Sequence, residues 1–144
     1  MEGLICPWRD RNERVSFDGE DNMTKSARSI FVFAIYLYVL GIVLILVPNA
    51  LLSLFSFPET NEVWIRVLGV VVLILGFYYS QAARKGLEDF FRLTVFGRTA
   101  VLLFFIAFVL ADFAPPVLIL FGVIDFAGAM WTAFALRSES ANVE

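Results

Sequence analysis

Three charged residues stand inside or at the edge of long apolar stretches, and these are the residues best placed to do chemistry. Asp125 lies within the apolar run that follows Pro115-Pro116, and Arg66 and Arg98 lie near the starts of two others. A charge at bilayer depth costs about 2.5–3.5 kcal/mol on insertion scales, so each needs a partner, water or a task. An acid and a base at such depth can form an ion pair, relay a proton or hold a ligand's head group. Much other chemistry is excluded. The chain has no His and a single Cys, Cys6, which rules out haem ligation by His, an HExxH zinc site, a Ser-His dyad, a CxxC thiol pair and an internal disulfide. No catalytic or metal-ligating set remains.

The elements that must position these charges are membrane spans. The chain has 144 residues, 60% of them hydrophobic, and its mean hydropathy is +0.80. That is one domain, with an apolar surface suited to lipid rather than water. A bilayer core of ~30 Å needs ~20 helical residues, and the apolar runs supply four spans, at 29–47, 63–82, 94–112 and 117–136. The first ends at Pro48-Asn49 and lacks a small-x-small cleavage site, so it reads as a retained helix rather than a signal peptide. The third is uncharged only over 99–111, so to cross it must begin near Thr94, which draws Arg98 into the inner leaflet. Lys25 and Arg28 precede the first run, Arg84, Lys85 and Arg92 follow the second, and Arg137 closes the fourth. This is the positive-inside pattern of an up-down four-helix bundle with both termini in the cytoplasm. The basic residues form no stripe and mix with acids in the amino-terminal tail, so nucleic acid is not an expected partner.

Two connecting segments read as short interfacial helices. Asn49, Ser53 and Ser56 share one face of the apolar stretch 51–57 on the outer side. On the cytoplasmic side Leu87, Phe90, Phe91 and Leu93 oppose Arg84, Lys85, Glu88, Asp89 and Arg92. Lys85–Asp89 and Glu88–Arg92 are i,i+4 opposite-charge pairs, and the segment reads as a solvated face beside the membrane. Residues 1–28 are polar and mixed in charge, the pattern of a disordered cytoplasmic tail, and 138–144 form a second tail. Met23-Thr24-Lys25 would itself serve as a start, which leaves open whether residues 1–22 belong to the protein. Cys6 is a weak acylation candidate. Trp64 and Trp131 suit opposite interfaces, with Tyr78-Tyr79 again at the inner one.

Small and polar residues fall in stripes. On span two Glu62, Arg66, Gly69, Leu73, Gly76 and Ser80 form one seam at helical pitch. On span four Gly122, Asp125, Ala129 and Thr132 do the same, with Gly128 alongside. Helices in lipid associate through small residues and polar contacts, so these two stripes are the expected facing surfaces. A fainter stripe on span one holds Ala34, Tyr38, Gly41 and Pro48. At ~1.5 Å rise per residue, Asp125 lies about 7 Å in depth from Arg66 and about 12 Å from Arg98. The expectation is an Arg66–Asp125 ion pair, with Arg98 reaching cytoplasmic head groups or helix-end carbonyls. Such a pair can also do no more than fix helix register.

Pro48 after the first span, then Ile65-Arg66-Val67-Leu68-Gly69 and Gly76, with Gly97-Arg98 opening span three, resembles the DoxX-like four-helix membrane proteins. The likeness runs over about 29–137 and is closest to an uncharacterised bacterial branch. It implies a bundle in a bacterial inner membrane. It also implies kinship with proteins that accompany oxidoreductase systems as quinone-linked subunits or partners. The Cys pairs and His residues that wider relatives use are missing here, so their redox and isomerase activities do not carry over.

The resulting expectation is a small non-catalytic membrane protein that binds a lipid, a quinone-like molecule or a larger membrane partner through its bundle, with homo-oligomers an open option. No cofactor is evident beyond a quinone or lipid. Arg66, Asp125, Glu62, Gly69, Gly122 and Thr132 form the expected polar site, with Arg98 toward the cytoplasm. The rivals are a proton-coupled transporter using Asp125 and a membrane-embedded enzyme or oxidoreductase accessory subunit.

Overall fold

The computed structural model describes residues 23–141, and among these every regular element is helical. Four long helices, α1 (Lys25–Leu46), α3 (Val63–Arg84), α4 (Glu88–Leu110) and α5 (Leu118–Ser140), are long and apolar enough to cross a membrane. A short helix, α2 (Pro48–Leu54), follows α1 directly. The expected tail 1–28 and Cys6 fall almost wholly outside the described residues.

Local chemistry explains the helix ends. The Thr24 side chain caps α1 by accepting from the Ala27 backbone N–H, and Pro48 opens α2 where a missing N–H costs nothing. Three helices end in the same hydrogen-bonded reversal, with one residue at positive φ: Ser56 after α2, Gly86 after α3 and Asp112 after α4. In each, the next amide N–H bonds back to the third-last helical carbonyl, as Leu87 N does to Ala82 O, Phe57 N to Leu52 O and Phe113 N to Phe108 O. Gly86 adopts this conformation without Cβ strain.

The four long helices match the expected spans, with shifted ends. The start of α4 corrects the separate cytoplasmic interfacial helix: Phe90, Phe91 and Leu93 belong to the first turns of α4 itself. Phe91 is fully buried there rather than lying on the surface. The i,i+4 pairs Lys85–Asp89 and Glu88–Arg92 form no ion pair, because these side chains are exposed and better solvated apart. The short helix expected between the first two spans is present as α2. At the far end α5 runs on through Ser138–Ser140, so the expected carboxyl-terminal tail begins as helix.

Packing is unequal. α1 is the hub, packed most extensively against α3 and also against α5, while α4 packs on α5. The expected span-two to span-four seam does not form: the α3 backbone does not approach α5 or α4 closely, and its contact with α4 is made by side chains, Tyr79 on Phe90. Its small residues face α1 instead. A Cβ placed on Gly41 would sit 2.9 Å from both Gly69 O and Leu73 N, and one on Gly76 would meet Ala34 O at 3.3 Å. The stripe Ala34–Tyr38–Gly41 is thus the true partner of Gly69–Leu73–Gly76, and Tyr38 Oη lies 3.2 Å from Ser80 Oγ at the end of the same seam. Backbones approach this closely only where neither helix carries a side chain at the crossing.

Hydroxyls join α1 to α5. Ser29 Oγ and Thr132 Oγ1 are 3.0 Å apart and fully buried. At the helix ends the Glu139 carboxylate accepts from the Ser26 backbone N–H at 2.9 Å and from Ser26 Oγ at 2.6 Å. A carboxylate there satisfies an orphan first-turn donor and faces the positive end of α1. The start of α1 and the end of α5 therefore meet at one end of the molecule. The outward surface is apolar: Trp64 is 71% exposed, Phe96 80% and Phe104 62%. Water-soluble monomers rarely expose so many large apolar side chains.

Candidate functional site

The gap left between α3 and the α4–α5 pair contains a cavity of about 310 Å³. α1 lines it with Tyr36, Leu37, Leu40 and Leu44, and α3 with Leu68 and Val72. Phe105 of α4 and Leu118, Phe121 and Asp125 of α5 complete the wall. α2 and the turn after it add Leu51, Leu52, Phe55 and Phe57. Phe55 is fastened to α5 by its ring contact with Phe121, centroids 4.5 Å apart. The start of α2 is tied down by Asn49, whose Oδ1 accepts from Thr60 N at 3.0 Å. The cavity is apolar apart from the Asp125 carboxylate and the Tyr36 phenol, and its volume lies at the small end of ligand pockets.

Behind Asp125 sits Arg98, only 3% exposed. Its guanidinium carbon lies 3.5 Å from the centroid of the Phe33 ring and 5.2 Å from that of Tyr79. Cation–π contact in a desolvated setting contributes about 2 kcal/mol or more. Rings satisfy charge but not N–H donors. Nε, Nη1 and Nη2 of Arg98 have no acceptor in hydrogen-bonding geometry. Asp125 and Tyr79 lie close enough to act on it electrostatically. Gly128 makes room for this arrangement, since a Cβ there would come within 3.1 Å of Arg98 Nη1.

The expected Arg66–Asp125 pair is corrected. Arg66 is exposed and its Nη1 donates to Ile45 O, a carbonyl of the last turn of α1, where a cation is favoured by the helix dipole. Arg98 is the arginine whose charge acts on Asp125, without an ion pair between them, and it is buried on the Phe33 ring rather than set among head groups. The other expected site residues are dispersed. Glu62 is exposed at the N-cap of α3 without a side-chain cap bond. Gly69 lies in the α1–α3 seam, Gly122 packs on Leu102 of α4, and Thr132 bonds Ser29. Of the expected set, Asp125 alone faces the cavity. Sequence reasoning missed Tyr36, Leu40 and Phe33, although Ser26, Ser29, Phe33, Tyr36 and Leu40 share helical spacing on one face of α1. Tyr79 also differs from expectation: it is buried against Phe33 and Phe90 rather than anchoring an interface.

Among the described residues no three His, Cys, Asp or Glu side chains gather where they could hold a metal. What the arrangement can do is enclose an apolar body and meet a polar head with one carboxylate backed by one guanidinium. In comparisons with known proteins, no family model, no curated protein and no solved structure matches this chain.

Proposed function

We propose that the protein is a four-span membrane protein of the bacterial inner membrane, with both ends cytoplasmic, that binds a lipid-like molecule in the cavity facing Asp125. The observation that carries this reading is an apolar cavity with a single carboxylate on its wall and a buried guanidinium behind it. The meeting of the start of α1 with the end of α5 supports an up-down arrangement, and Lys25, Arg84, Lys85 and Arg137 at that end support its cytoplasmic placement. The unpacked flank between α3 and α4–α5 offers a lateral route from the bilayer. A quinone-like or lipid-like head that donates a hydrogen bond suits Asp125; one that accepts is drawn toward Arg98. The DoxX-like resemblance belongs to the same reading.

One carboxylate and one phenol suit holding a head group better than running a reaction, so the role is non-catalytic. Thermal stability in mild detergent tests this. A medium-chain primary alcohol should raise the midpoint of the wild type more than the alkane of matching length, and the difference should vanish in Asp125→Leu. Equal effects of the two probes on the wild type would overturn the reading. Proton flux into liposomes carrying wild type, but not Asp125→Asn, would instead establish the transport alternative.

A further inference from the structure

A second groove lies between α4 and α5, away from the cavity. It encloses about 480 Å³ and is lined by Arg92, Val95 and Phe96 from one helix and Ala133, Leu136 and Arg137 from the other. Arg92 and Arg137 both reach this groove, and among the described residues no carboxylate lines it. The acids nearest in sequence do not neutralise them: Glu139 is committed to Ser26, and neither arginine forms an ion pair with Glu88 or Asp89. Two like charges sharing one groove with no counter-ion among the described residues repel each other and attract an anion. The walls then change character with depth. Val95 and Phe96 lie about a helical turn beyond Arg92, and Ala133 lies a turn before Arg137, all apolar. A cationic mouth leading into an apolar trough has the polarity order of a phospholipid.

We infer that this groove is a binding site for an anionic phospholipid, its phosphate between the Arg92 and Arg137 guanidiniums and an acyl chain along Val95, Phe96 and Ala133. The inference rests on the membrane placement proposed above and is independent of what the central cavity holds. Arginine matches phosphate oxygens with a planar fork of donors, and each basic residue near an anionic surface contributes about a fivefold gain in binding.

Native mass spectrometry of the full chain tests it, with phosphatidylglycerol and phosphatidylcholine of identical acyl chains added in mild detergent. Phosphatidylglycerol should bind the wild type more tightly. The double change Arg92→Gln/Arg137→Gln should weaken that binding roughly thirtyfold and leave phosphatidylcholine unaffected. Arg84→Gln/Lys85→Gln removes the same charge from the α3–α4 turn and should change it less than about twofold. Ala133→Trp keeps both arginines but fills the trough, and should also lose phosphatidylglycerol, which covers the case of a double variant that fails to fold. Leu40→Trp, in the central cavity, should leave the preference for phosphatidylglycerol over phosphatidylcholine unchanged, so failure of the cavity reading leaves this result intact. Equal binding of the two lipids by the wild type, equal losses in the two double variants, or undiminished binding by Ala133→Trp would overturn the inference.

Discussion

The two flanks of α1 are built on opposite principles. Toward α3 it presents Ala34 and Gly41, and where Gly41 crosses Gly69 the two backbones meet with no room for a Cβ. Toward α5 it presents Ser29, Phe33, Tyr36 and Leu40, and there hydroxyls, an arginine on an aromatic face and a cavity replace close contact. The first flank gains stability from dispersion and loses nothing to desolvation. The second leaves three guanidinium donors without acceptors and leaves space empty, both of which cost stability. In the proposed function, what the cavity binds offsets these costs.

That contrast can be broken in several places. The largest effect belongs to Asp125→Leu, which removes the acid whose charge acts on the buried Arg98 guanidinium and should cost about 2–3 kcal/mol in detergent unfolding. Adding Arg98→Met should recover most of it, because replacing both charges with apolar groups is often neutral or stabilising. A double variant no better than the single would mean that the couple holds the fold together. Next comes the tight flank, where Gly41→Ala should cost about 1–3 kcal/mol by overpacking against Gly69 O. Gly97→Ala, whose Cβ would meet nothing within 4 Å, should gain about 0.5–1 kcal/mol in the same titration. Ser26→Ala removes the Oγ bond to Glu139 while the backbone N–H bond stays, and should cost about 1 kcal/mol, read from faster amide exchange in the first turn of α1. Thr132→Val should cost least, about 0.6 kcal/mol, as interhelical hydrogen bonds in lipid do. A larger loss would move the hydroxyl seam from fastening to core.

The spans were legible because length and hydropathy are properties of each segment alone. Pro48, Gly86 and the Asp112 turn likewise mark their ends locally. The helix neighbours were not. The stripe on α3 was correctly read as an interface, but depth along the membrane normal says nothing about which helix stands opposite. Arg66 therefore donates to Ile45 O, and the arginine whose charge acts on Asp125 is Arg98, against the estimate from vertical separation. Asp125 stood out because a carboxylate contrasts with its apolar surroundings. Leu40, Val72 and Leu118 did not, since a leucine facing a cavity and one facing lipid look alike in a sequence without that contrast.

The occupancy of the central cavity bears most directly on the whole account. Protein extracted in mild detergent should carry one apolar species with a polar head at close to one per chain, quantified by mass spectrometry. Leu40→Trp and Leu118→Trp, which fill the cavity from α1 and from α5, should each lose that species while remaining folded. A wild type that carries only the lipid mixture of the membrane, unchanged in both variants, would contradict it.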